Sequence, residues 1–106
     1  MTIDELVNQS HATALDHGFY DGPPPNFGEK IALMHSELSE SLEEFRAGRN
    51  ACYLIDEKPE GWAVELADVV IRIADTFGYY GLDLMGLLSA KIAYNKTRPY
   101  KHGKAF

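Results

Sequence analysis

Two pairs of acids carry the chemistry this sequence can do. Glu37-Leu38-Ser39-Glu40 and Glu65-Leu66-Ala67-Asp68 each place carboxylates three residues apart inside a segment that reads as apolar helix. Positions i and i+3 lie on neighbouring parts of one helix face, so each pair can address a common object. Four carboxylates converging from two helices repel one another unless hard cations sit between them. Magnesium and manganese are the cations that favour all-oxygen ligand sets. Acids on helices are usually solvated, but Glu65 and Asp68 belong to the most apolar helix of the chain. A carboxylate buried there must be paired, protonated or bound to metal. Glu44 shares the face of Glu37 and is a further ligand or a base just behind the ligands, whereas Glu43 reads as solvated.

A second set lies near the C-terminus. Lys91, Asn95 and Arg98 follow at spacings of four and three, which places two cations and an amide on one helix face, a set suited to phosphate oxygens. The same residues also match the macrodipole of a helix C-terminus. Lys96, Lys101 and Lys104 add general positive surroundings. The histidines, His35 included, read as structural. Ser36, Ser39 and Ser41 lack a base and an orienting partner, so none is a nucleophile. Tyr20, Trp62 and Phe27 have rings able to stack on a base, with core packing the default for the last two.

Four helices must position these groups. Thr2-Ile3-Asp4-Glu5 has the form of a capping box, opening a helix to about His17. Gly22 and three successive prolines, Pro23 to Pro25, make the next stretch an ordered loop. Asn26 caps a second helix, about Phe27 to Ala47, with Glu29 as its capping-box partner and an apolar stripe through Phe27, Ile31, Met34, Leu38, Leu42 and Phe45. Glu37, Glu40 and Glu44 fall roughly 90–160° from that stripe. The mixed stretch from Arg49 to Lys58 reads as a connection with a turn near Tyr53 and no useful strand alternation. Pro59 fits the first turn of a third helix, about Pro59 to Tyr80, which is apolar on nearly every side. Its charges, Glu65, Asp68, Arg72 and Asp75, gather on one flank. Gly81 breaks the chain, Asp83 caps a fourth helix, and Pro99 ends it. The expected architecture is all-α: a four-helix bundle-type domain, completed by homo-oligomerisation because the third helix needs more cover than one short chain supplies.

With 106 residues the chain is a single domain over 1–106. A net charge of −6 argues against a nucleic-acid polymer as partner, because phosphate backbones require clustered Lys and Arg. It leaves room for a metal-bridged nucleotide. Cys52 is the one cysteine, so no intrachain disulfide forms and a reducing, cytoplasmic location is expected. The N-terminus lacks the pattern of a signal peptide, and no apolar run approaches ~18 residues, so no membrane span is expected.

In order and on these helices, Glu37-x-x-Glu40, Glu65-x-x-Asp68, then Lys91-x-x-x-Asn95-x-x-Arg98-Pro99-Tyr100 and His102-Gly103 resemble the all-α MazG-like nucleotide pyrophosphohydrolases. The resemblance covers about residues 26–103, leaving 1–25 as an added helix and Pro-rich loop. It implies a helical bundle that forms homodimers or homotetramers, with Mg²⁺ (or Mn²⁺) held by Glu37, Glu40, Glu65 and Asp68. It also implies hydrolysis of a nucleoside triphosphate between the α and β phosphates, giving the monophosphate and pyrophosphate. Glu37 and Glu40 then serve catalysis, with Glu40 orienting or deprotonating water, and Lys91, Asn95 and Arg98 hold phosphate. Many relatives carry an acid directly before the first motif glutamate, where this chain has Ser36; any holding of a further metal falls to Glu44 or is missing. A rival from another class is a non-catalytic helical module that binds nucleotide or protein and keeps the acidic site. A di-iron bundle typically uses Glu-x-x-His, a spacing this chain lacks.

Overall fold

Caps set where the helices begin in the computed structural model, which describes residues 1–105. α1 (Ile3–Asp16) starts under the expected capping box: Glu5 N donates to Thr2 Oγ1 at 3.1 Å, and Thr2 N donates to Glu5 Oε1 at 3.0 Å. α2 (Phe27–Arg46) starts at Asn26, whose Oδ1 accepts from Glu29 N at 3.1 Å. The remaining elements are β1 (Tyr53–Ile55), β2 (Lys58–Glu60), α3 (Trp62–Tyr80), α4 (Leu84–Lys96) and a short 3₁₀ turn at Tyr100–Gly103. The chain is therefore mostly helical, and no described helix is long and apolar enough to cross a membrane.

Two expectations change here. The stretch before the third helix is an antiparallel hairpin, pairing Tyr53 with Glu60, Leu54 with Pro59 and Ile55 with Lys58. Its two-residue turn has positive φ at both Asp56 (48°) and Glu57 (68°), the left-handed pair that matches strand twist. Three-residue strands are too short to show alternation, and Asp-Glu is not the Asn-Gly or Asp-Gly pair that announces such a turn. As a result Pro59 lies in a strand, and α3 begins at Trp62. The second change is at the far end: α4 stops at Lys96 with Thr97 as C-cap, so Arg98 lies beyond the helix rather than on its face.

α3 is the central element, with α2 and α1 both packed along it, while α4 rests mainly on α1. Gly61 sets the entry to α3. Its φ is 122°, and a Cβ there would overlap the Ala51 carbonyl, whose oxygen accepts from Ala63 N at 3.0 Å. Buried Ser41 of α2 donates from Oγ to the Trp62 carbonyl at 2.9 Å, and Phe45 meets the Trp62 ring edge-on. Together these fix the register of α2 against α3 at the end where the acids lie. At the other end, Asp75 of α3 gathers three elements. His11 Nδ1 lies 2.9 Å from its Oδ1, and Tyr20 donates to Oδ2 at 2.7 Å. Lys30 donates to the Tyr20 hydroxyl at 2.7 Å. Burial first, and then this bond to Asp75, push the Tyr20 hydroxyl well above its usual pKa.

Little is enclosed. Ala74 is the one fully buried apolar residue among those described, and Leu66, Val70 and Ile71 of α3 are each more than two-fifths exposed. α4 buries no residue. It closes no four-helix bundle within this chain.

Candidate metal centre

The α2–α3 register brings three of the four motif acids together. Glu37, Glu65 and Asp68 each offer a carboxylate oxygen, and these atoms all lie within 4.8 Å of one another. Ligand oxygens around a magnesium at ~2.1 Å are separated by about 3 to 4 Å, so modest side-chain rotation would close the set. The donors are all oxygen, which suits Mg²⁺ or Mn²⁺ rather than a softer metal. Glu40, one turn on from Glu37, is exposed and outside this trio, yet its charge acts on Glu65.

Arg72, one turn beyond Asp68, grips Glu37. Its Nε and Nη2 both lie 3.1 Å from Glu37 Oε1, and the carboxylate is only 16 % exposed. The acids split accordingly. Burial alone would raise the Glu37 pKa, but hydrogen bonds with Glu65 and Arg72 outweigh it and hold the group below its ordinary range. Glu65 goes the other way, pushed up to about 7 by burial, by its hydrogen bond to ionised Glu37 and by the surrounding negative charge. Asp68 is also raised, by burial and then by Glu37. Without metal, Glu65 therefore holds its proton to higher pH than an ordinary glutamate does. Lys58 on the hairpin pairs with Glu60 at 3.0 Å and senses Glu65 and Asp68.

An open cleft of about 400 Å³ adjoins the trio, lined by Ser36, Ser39, Glu40, Glu43, Glu44, Arg49 and Glu65. This volume is in the range of small-molecule sites. Glu44 is not drawn toward the trio. Both its oxygens accept from the Tyr53 hydroxyl at 3.2 Å, and Arg49 Nη1 donates to Oε2 at 3.2 Å. Arg49 is thereby steadied by the hairpin while its side chain stays 57 % exposed. Sequence reasoning missed Arg49 and Arg72. Arg72 was legible as a flank-mate of Asp68, one turn on. Arg49 has no such signal, because it acts from a loop.

Lys91, Asn95 and Arg98 do not line this cleft. Lys91 and Arg98 both lie over the Tyr94 ring, at 4.9 and 5.8 Å from its centroid, on the far side of α1 from α2 in packing order. His35 is exposed and outside the acid trio, and His11 is structural, as expected. No protein family, curated protein or solved structure matches the chain.

Proposed function

We propose that this chain is a Mg²⁺-dependent nucleoside triphosphate pyrophosphohydrolase, acting as a homo-oligomer. Water attacks the α phosphorus, and the bond from that phosphorus to the α–β bridging oxygen breaks. The products are a nucleoside monophosphate, which keeps the water oxygen, and pyrophosphate, with the water's protons passing to base and solvent. The observation that carries the reading is the trio Glu37, Glu65 and Asp68, contributed by two helices and with carboxylate oxygens within 4.8 Å of one another, of which Glu65 lines a cleft that also holds Arg49. A cluster of ionisable groups with separated pKa values beside a cleft is what acid–base and metal chemistry requires.

Glu37, Glu65 and Asp68 would hold the cation, with Glu40 completing the set from the cleft side. When bound, Mg²⁺ supplies charge neutralisation on phosphate oxygens and acidifies water. Arg72 keeps Glu37 ionised and oriented. Glu40, exposed at the cleft, has a free carboxylate oxygen to take the proton from attacking water. Arg49 faces the same cleft and offers its unused N–H groups to a phosphate oxygen, where they offset charge gathering on the leaving pyrophosphate.

Incubation with the canonical and damaged nucleoside triphosphates plus Mg²⁺, read as pyrophosphate release, tests the reading. Metal-dependent pyrophosphate is the expected product. A chain that binds triphosphate and Mg²⁺ yet releases no pyrophosphate from any of them is a binding module instead.

A further inference from the structure

The cleft beside the trio is a poor place for an anion except at one point. Its lining sets Glu40, Glu43, Glu44 and Glu65 against a single cation among the described residues, Arg49. Where that guanidinium stands therefore decides whether a phosphate can approach. Arg49 belongs to no helix or strand, so contacts from outside its own segment must hold it.

The backbone supplies the first hold. Gly48, at φ 74°, closes α2 in a Schellman motif: Gly48 N donates to the Phe45 carbonyl at 3.0 Å, and Arg49 N to the Glu44 carbonyl at 3.2 Å. The chain thus doubles back and sets the Arg49 side chain beside Glu44 on the last turn of α2. Their ion pair, Nη1 to Oε2 at 3.2 Å, joins a guanidinium 57 % exposed to a carboxylate 16 % exposed. A pair with one partner so exposed fixes a long side chain loosely unless the other partner is itself fixed.

Tyr53 of the hairpin fixes it. The hydroxyl donates to both Glu44 oxygens, each at 3.2 Å, so the carboxylate cannot rotate without losing a contact. Burial, and then the Glu44 charge, push this hydroxyl above its ordinary pKa, and it stays a donor through the neutral range. Tyr53 is in turn anchored to α3. It pairs with Glu60 across the hairpin, and two residues earlier the Ala51 carbonyl accepts from Ala63 N at 3.0 Å. A path of named bonds therefore runs from the start of α3, which supplies Glu65 and Asp68, through Tyr53 and Glu44 to Arg49.

We infer that Tyr53 is a positioning residue for anion recognition at this cleft, acting through Glu44 to hold the Arg49 guanidinium where a phosphate oxygen arrives. The identity of the anion rests on the function proposed above. The alternative is a Tyr53–Glu44 bond that only fastens the hairpin to α2. Its loss would then be felt in melting and would not depend on Arg49.

Titration calorimetry of the whole chain with inorganic pyrophosphate and Mg²⁺ separates the two, because pyrophosphate is the product that Arg49 would contact. Tyr53→Phe keeps the ring and removes the donor, so it should weaken binding about threefold, the size of a modest hydrogen bond. In an Arg49→Ala or Glu44→Ala background the same substitution should have no further effect, since residues acting as one unit are not additive. Tyr53→Phe that binds like wild type, or that costs the same factor with and without Arg49, overturns the inference. So does a wild type that binds no pyrophosphate. A coupled cycle in a chain that releases no pyrophosphate from any nucleoside triphosphate leaves the role of Tyr53 standing and removes only the enzymatic reading. Pyrophosphate release with an uncoupled cycle does the reverse.

Discussion

Arg72 binds Glu37 through two nitrogens, each 3.1 Å from Oε1, from the same helix that supplies Glu65 and Asp68. One cation thus offsets part of the negative charge that a metal would otherwise balance alone. Arg72→Met should lower metal-free stability by about 1 kcal/mol, a figure discounted for the guanidinium's partial exposure. It should also enlarge the rise in melting temperature on adding Mg²⁺, since the metal would then offset the Glu37 charge without a neighbouring cation. An unchanged Mg²⁺ increment would detach this ion pair from the metal site.

Asp68→Asn keeps the shape of the side chain and removes its charge. Pyrophosphate release should fall at least about 100-fold, and Mg²⁺ should no longer raise the melting temperature appreciably. Without metal, the variant should be as stable as wild type or more so, because burial and the neighbouring Glu37 already disfavour the ionised form. Full activity in this variant would overturn the metal-centre reading.

The pH dependence follows from Glu65. Its folded pKa of about 7 lies above the ~4.3 of an unfolded glutamate. Its stabilising contribution is therefore complete below the unfolded value and is lost as pH rises to 7. Asp68, also raised, acts in the same direction. Glu37, lowered, acts oppositely and only below the ordinary carboxylate range. Metal-free protein should melt at a lower temperature at pH 8 than at pH 5.5. Saturating Mg²⁺ should shrink or reverse that difference, since the cation replaces the proton. Thermal melts with and without Mg²⁺ across this range are the measurement.

Arg49→Ala removes the one cation lining the cleft among the described residues. It should raise KM for a triphosphate about tenfold, the size of one charge-assisted contact, and leave the Mg²⁺ effect on melting intact. Arg49→Lys should restore part of the loss, because charge returns without the forked geometry. Wild-type kinetics in Arg49→Ala would confine this residue to steadying Glu44 and the hairpin.

Gly78 lies where α1 crosses α3, and a Cβ added there would stand 2.6 Å from His11 Cβ. Gly78→Ala should cost about 1–3 kcal/mol of stability by forcing the helices apart, read by chemical denaturation. The folded fraction should keep its turnover, because α1 does not line the cleft. A neutral outcome would show that α1 shifts freely against α3.

The sequence determined the helices and the acids. Thr2, Asn26 and Asp83 announce their helices because a capping side chain acts within three residues. The i,i+3 spacing places Glu37 with Glu40, and Glu65 with Asp68, on common faces for an equally local reason. Only tertiary structure decided which acids meet. Glu37 joins Glu65 and Asp68 because Ser41 and Phe45 set the register of α2 on Trp62, while Glu40 faces the cleft and Glu44 is turned aside by Tyr53 and Arg49. The hairpin also lay beyond local reading, since strands of three residues owe their existence to pairing rather than pattern. Lys91, Asn95 and Arg98 share a spacing that names a chemistry and not a location. Their place in this chain, away from the cleft, follows from α4 packing on α1, a long-range contact that no spacing encodes.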